Sequence, residues 1–370
     1  MPSANRLESE RAVAGILHVF VAFDWGDEID LEQARRLGPS VQHDLPRKPR
    51  TPTSISYQPP PLRSRLDSIP LALPELGTVA ADADITLFDF GAVSAAIHVP
   101  FQTGPPQLRQ LAAWLADSAG LIATLRAAVE PFFDRIRPAI QNPSWSEFSE
   151  EYIVFEMSPR SFETSIADLL EIEGAWLAGL VRLEAATLSE GEIAEALRLR
   201  LSYTPQDLFL ADWAAAVLID EDCDEVLDTI ALANVQLLEF RHIDGRLDAR
   251  LQSTYGLIQK LARTWLPFWR SHGRTMRALG ELKMEANVML ERTGDALKLV
   301  GDPYLARVYR MLAARFHLDE WSVNIRRALA VLEGTYQVIS DQAAAYRMEA
   351  LEVAIVVLIL FEIVMALLGR

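Results

Sequence analysis

Nine consecutive apolar residues run from Val353 to Phe361, and after Glu362 six more run from Ile363 to Leu368. A stretch of this composition has to leave water, so it constrains the rest of the chain. A membrane-spanning helix needs about 20 residues, within a range of roughly 17–25, and Ala350–Gly369 just reaches that length. Its Val, Ile, Leu and Phe residues contribute about −5 kcal/mol to insertion, against on the order of +3 kcal/mol for one buried acid. The expectation is one C-terminal transmembrane helix, with the body on the cytoplasmic face of an inner membrane and Arg326, Arg327 and Arg347 on the body side. The competing reading is a buried C-terminal helix of a bundle. Glu362 is an ionisable group at depth, and such a group is expected to serve a function. Contact between helices of a homo-oligomer is the preferred role.

The formal net charge of −16 works against broad attraction to nucleic-acid phosphates, so no direct nucleic-acid binding is expected. Cys223 is the one cysteine. It excludes a disulfide framework and any zinc or iron–sulfur site built from cysteine alone. The start of the chain, with Glu8 and Glu10, fits neither a secretory signal nor an acid-poor transit peptide.

Residues 12–24, containing VAGILHVFVAF, read as a buried strand. Asp30 caps a short helix to Leu37, closed by Gly38-Pro39. Nine of the twenty prolines fall between Pro39 and Pro74. Proline fixes φ and removes a donor, so residues 39–80 are expected to form a linker or wrapping loop. Residues 84–99 alternate around Gly91 as a strand pair, and Pro105-Pro106 opens a helical region to Ile136. A strand at 151–157, helices from Phe162 and from Ser189, and a strand at 213–219 follow, with Glu192 at the capping-box position. Residues 1–38 and 81–222 are therefore expected to form an α+β body with a small mixed sheet, for which a ferredoxin-like topology is one candidate.

After Asp220 the pattern is helical. Residues 223–348 read as a helical hairpin or bundle and 349–370 as the anchor. Leu318, Trp321, Ile325, Leu329, Leu332, Tyr336 and Ile339 make a heptad-like stripe. An ordinary amphipathic bundle and an intermolecular coiled coil fit it equally.

No phosphate-binding glycine loop, H-E-x-x-H or G-x-S-x-G element is present, and no cofactor or metal is expected. Asp89-Phe90-Gly91 lacks the other kinase elements. The six histidines, His18, His43, His98, His242, His272 and His317, are scattered and read as surface or satisfied core residues. Two acidic groups stand out. Asp220, Glu221, Asp222, Asp224 and Glu225 lie at a helix start, where the dipole favours carboxylates. Glu239, Arg241, Asp244 and Asp248 share a helix, with 3–4 spacing from Arg241, and read as a structural ion network.

The segments ANVQLLEFRHIDGRLDARLQSTY (Ala233–Tyr255), VGDPYLARVYR (Val300–Arg310), Trp321, LEVAIVVLILFEIV (Leu351–Val364) and FDFGAV (Phe88–Val93) resemble the Required for Meiotic Nuclear Division family, in a bacterial-type member. That resemblance implies a membrane-anchored protein without known enzymatic activity, with partners linked to translation; lack of a transit peptide argues against a mitochondrial location. The functional expectation is a tail-anchored scaffold that self-associates through helices and tethers protein partners. The alternative is an enzyme with an acidic or metal-dependent site in the body, using Asp84, Asp89 or the acids at 220–225.

Overall fold

The computed structural model describes residues 12–38, 60–117, 119–261 and 302–368, with a few positions between 280 and 290. The proline-rich run 39–59 and most of residues 262–301, within the expected helical region 223–348, lie outside the described residues. Packing divides the chain into two units, Met1–Arg241 with Arg292–Asp319, and His242–Glu291 with Glu320–Arg370.

The first unit is built on strands β1 Val13–Asp24, β2 Glu28–Ile29, β3 Leu62–Leu73, β4 Gly77–Leu87, β5 Ala92–Thr103, β6 Ile140–Gln141, β7 Ser149–Met157, β8 Arg200–Leu201, β9 Leu208–Ala211 and β10 Ala215–Ile219. Eight of them form one sheet in the order β3-β4-β5-β1-β7-β10-β9-β8. The β7–β10 pair is parallel and the other pairs are antiparallel. The helices are α1 Leu31–Leu37, α2 Pro105–Leu115, α3 Ala119–Ile136, α4 Ile166–Val181, α5 Glu190–Ala196, α6 Asp224–Leu261, α7 Pro303–Arg315 and α8 Leu318–Leu368. Local signals set several boundaries. Asp30 accepts from Gln33 N at the start of α1, and Ser189 accepts from Glu192 N at the start of α5, as N-caps do. Gly91 turns β4 into β5 at φ +93. A Cβ there would lie 1.7 Å from the Gly26 carbonyl oxygen, so only glycine fits.

Strand side chains alternate between two faces. Leu17, Val19, Val21 and Phe23 of β1 join the core that includes Leu108, Leu125 and Leu177 of the helices. His18, Phe20 and Ala22 point to the opposite face, and all three are buried. That second face is covered by the first part of α6 and by the end of α7. Asn234 Nδ2 donates to the Glu150 carbonyl at 2.9 Å, and the Phe316 ring meets Tyr152 edge-on at 5.2 Å. Burial on both faces explains why β1 reads as a near-continuous apolar run.

Three expectations are corrected. The sheet is larger than the small one expected, because β3 and β4 recruit residues 62–87 and β8 and β9 extend the far side. No single helix among the described residues is long and apolar enough to cross a membrane. The segment expected as an anchor is the end of the 51-residue α8, where Glu352 and Glu362 interrupt the apolar run and polar residues precede it. No coiled coil is seen among the described residues. Leu318, Ile325, Leu329 and Leu332 of the heptad-like stripe are buried within the one chain, so these four positions are covered without a second copy.

Candidate functional site

The second face of the sheet carries a polar row across four strands. His18 on β1 and His98 on β5 are direct cross-strand partners. Their Nδ1 atoms are 2.7 Å apart. His98 Nε2 lies 3.0 Å from Asp84 Oδ2 on β4, and His18 Nε2 lies 2.8 Å from Glu156 Oε2 on β7. The period of two makes this arrangement possible: each residue sits where its strand faces α6, and the two carboxylates reach diagonally by two positions. The centre is the most buried part, with the His18 side chain 5 % exposed and the Glu156, Asp84 and His98 side chains near a quarter exposed. Burial lowers the His18 pKa, opposed by the hydrogen bond to Glu156 and reinforced by His98. Chemically, the row can hold protons and pass them along.

Arg63 of β3 borders this row. It pairs with Asp228 of α6 and donates to Thr86 Oγ1 at 3.2 Å. The first turn of α6 carries the acids expected at a helix start. Burial pushes the Asp220 and Asp224 carboxyls up. It also pushes the Cys223 thiol up, with Glu156 and the neighbouring acids adding to the effect. Such a thiol is inert. No group of three or more metal-ligating side chains is found among the described residues.

A second polar site lies further along β7. Glu150 pairs with Arg241 of α6. Burial still outweighs that pairing and pushes the Glu150 carboxyl up to about 7. Beside it is a cavity of about 180 Å³, lined by Glu150, Asn234, Arg241, Trp213, Tyr152 and Phe316 among others. Asn234 Oδ1 is buried in its wall without a hydrogen-bond partner among the described residues.

The residues singled out from sequence are distributed as follows. Asp84 belongs to the histidine row, whereas Asp89 uses its carbonyl to accept from Ile29 N in the turn near Gly91. Arg241 meets Glu150, a partner that helix spacing could not supply. Glu239 is buried, and the Asp244 carboxyl is pushed up by burial and by Asp248. Glu362 is exposed on α8. Sequence reasoning missed His18, His98, Glu156, Glu150 and Asn234. The one signal for His18 was a lone polar residue inside the apolar run of β1.

The family model described as "Uncharacterized protein MJ0711, N-terminal domain" matches residues 14–225, a span holding all four members of the histidine row. The uncharacterized protein MJ0711 of Methanocaldococcus jannaschii is 25% identical over 249 residues, covering 64% of this chain and 72% of the relative. No solved structure matches the chain. These matches overturn the resemblance to the Required for Meiotic Nuclear Division family, which rested mostly on segments from Ala233 onward. The chain belongs to the family defined by the N-terminal domain of the uncharacterized protein MJ0711.

Proposed function

We propose that this chain is an assembly protein that self-associates through the end of α8. The observation that carries the reading is the surface of that segment. Twelve large apolar side chains from Leu351 to Met365 are between 43% and 63% exposed. At roughly 1 kcal/mol for each half-exposed side chain, covering them is worth on the order of 10 kcal/mol. The exposed apolar area, on the order of 1,000 Å², exceeds what a monomer ordinarily leaves in water and matches a stable homodimer interface. The apolar residues surround the helix, so a single neighbour covers only part of it. Copies of the same helix packed in a closed symmetric bundle bury the inward face of each and its flanks against two neighbours, more than a single partner covers. Glu362 is the polar position inside this surface, and a polar residue in an apolar seam fixes register and copy number.

Sedimentation of the full chain tests the reading. A discrete oligomer is expected, and Val356→Lys with Leu360→Lys is expected to return it to monomer with its circular dichroism unchanged. Glu362→Leu is expected to replace the discrete oligomer by a mixture of sizes. A full chain that stays monomeric at micromolar concentration, or that enters lipid vesicles as a monomer, refutes self-association.

A second reading, small-molecule binding in the first unit, is favoured by the Glu150–Asn234 cavity. Native mass spectrometry of the purified chain is expected to show a bound small molecule that is lost in Asn234→Leu. Identical spectra for the two proteins exclude it.

A further inference from the structure

The three contacts of the histidine row impose a proton count. Ionised carboxylates only accept hydrogen bonds, and a neutral imidazole carries one N–H and one lone pair. Closing Asp84–His98, His98–His18 and His18–Glu156 takes three donors, whereas two neutral imidazoles supply two. With one proton fewer, two lone pairs face each other at one contact. With one proton more, two N–H groups face each other across the 2.7 Å between the Nδ1 atoms. The closed row therefore holds one proton beyond two neutral imidazoles. Burial says where it sits. Burial of the His18 side chain, 5 % exposed, disfavours its charged form, and the His98 ring lies 25 % exposed beside Asp84. His98 Nε2–H then donates to Asp84, His98 Nδ1–H donates to His18 Nδ1, and His18 Nε2–H donates to Glu156.

We propose that the row is a proton-binding site that locks the β1–β5 seam by holding one shared proton, and that the lock is tightest near the ordinary histidine pKa and loosens on both sides of it. An opened row contains two solvated imidazoles, each titrating near about 6.5. Below that pH the opened row holds one proton more than the closed row. Above it, the opened row holds one fewer. The opening constant therefore rises about threefold over the first pH unit in either direction and approaches about tenfold per unit beyond it, until the closed row itself titrates. The acid limb has the sign of a buried neutral histidine, whose stabilisation is present above the unfolded pKa and lost as pH falls toward the lowered folded value.

The titratable and charged groups around the row come from each neighbouring element: Asp84 on β4, Glu156 on β7, Arg63 on β3, Cys223 just before α6, and Asp224 and Asp228 on α6. Arg63 acts on Asp84 and Asp224 as well as on Asp228, and Glu156 acts on Cys223 and Asp224. These groups shift the height of the profile. Apart from Glu156 itself they are common to wild type and variant, so the two-sided form of the profile, and not its height, is what the comparison between the two reads.

Native-state hydrogen exchange of β1 and β5 amides in the full chain tests the proposal. Measured from about pH 5.5 to about 7.5 and corrected for intrinsic exchange, the wild type is expected to give a two-sided profile with its minimum opening near 6.5. Glu156→Gln supplies an N–H where the carboxylate only accepted. Its row closes with two neutral imidazoles, so the alkaline rise is expected to be lost, with opening falling about threefold from 6.5 to 7.5 and levelling beyond as the opened imidazoles finish giving up their protons. The acid limb is expected to steepen to about thirtyfold over the unit below 6.5, approaching about a hundredfold per unit beyond it, because opening now takes up two protons. A wild-type profile that is monotonic through 6.5, or an alkaline limb identical in the two proteins, overturns the shared proton. Loss of a merely structural contact raises opening at every pH and leaves both slopes as they were.

Discussion

Asp212 is the buried charge whose removal the structure makes most costly. It sits in the turn between β9 and β10 and is 2 % exposed. Arg182 Nε, just past the end of α4, approaches its Oδ2 at 2.8 Å, at an angle that makes an ion pair without a hydrogen bond. Arg315 Nε, the last residue of α7, lies 3.4 Å from Oδ1. Oδ1 also accepts from Trp213 N at 2.7 Å. Asp212→Asn keeps the shape and an oxygen for Trp213 while removing the charge that holds both guanidiniums. Breaking one side of a buried pair costs about 3–5 kcal/mol. Arg182 retains Glu192 at 3.3 Å and Arg315 retains Glu195 at 3.4 Å, but both carboxylates are largely exposed and return little. The expected loss is therefore at the low end, about 3 kcal/mol. For a unit of this size it lowers Tm by roughly 6–12 °C. Urea unfolding followed by tryptophan fluorescence measures it, since Trp213 is the adjoining residue. Arg315→Met should cost less in a chain already carrying Asp212→Asn than in wild type, because the two act on one network. A loss within about 0.5 kcal/mol, the range of an ordinary surface change, refutes the argument that this carboxylate anchors α4 and α7 to the sheet.

Two further outcomes follow from the same physics. The folded chain holds the Glu150 proton up to about 7, whereas the unfolded chain releases it near the ordinary value of about 4.5. Above that ordinary value the unfolded state binds fewer protons, so stability falls as pH rises from about 4.5 to about 7, by on the order of 3 kcal/mol; Glu150→Gln should flatten that part of the urea-derived stability curve, and an unchanged slope counts against the burial of this carboxyl. Gly91→Ala places a side chain at φ +93 against the Gly26 carbonyl. It should cost about 3 kcal/mol, read as a fall in Tm by circular dichroism, and a variant as stable as wild type shows that the turn can rearrange.

Much of the first unit was legible in local signals. β1, the β4–β5 turn at Gly91, β7, the capped starts of α1 and α5, and β10 all carry short apolar runs, alternating patterns or cap residues that act over a few positions. The strand β3 was hidden for a physical reason. It begins directly after Pro59-Pro60-Pro61 and contains Pro70, which argues against a central strand. The sheet tolerates it because β3 is an edge strand, paired on one side with β4. The extent of the sheet was hidden too, since the two residues of β8 and the four of β9 carry too few positions for a period to show.

The sites were less legible than the fold because they are properties of register, which long-range pairing decides. Asp84, His98, His18 and Glu156 come from four strands, and no spacing along the chain connects them. What brings them together is that each falls on the α6-facing parity of its strand while the opposite parity fills the main core. A one-residue slip between β1 and β5 would send His18 into that core and dissolve the row. The same parity places Glu150 under α6, where Arg241 reaches it; helix spacing alone assigns Arg241 to Asp244 on its own helix. In both places a polar residue sits at a position the alternation assigns to burial, and neither is a loss of core quality once its partners are known. A lone His inside VAGILHVFVAF should therefore be read as a request for partners on adjacent strands. The proton count of the row follows only when those partners are in place, which is why the pH profile of wild type against Glu156→Gln tests the register and the chemistry together.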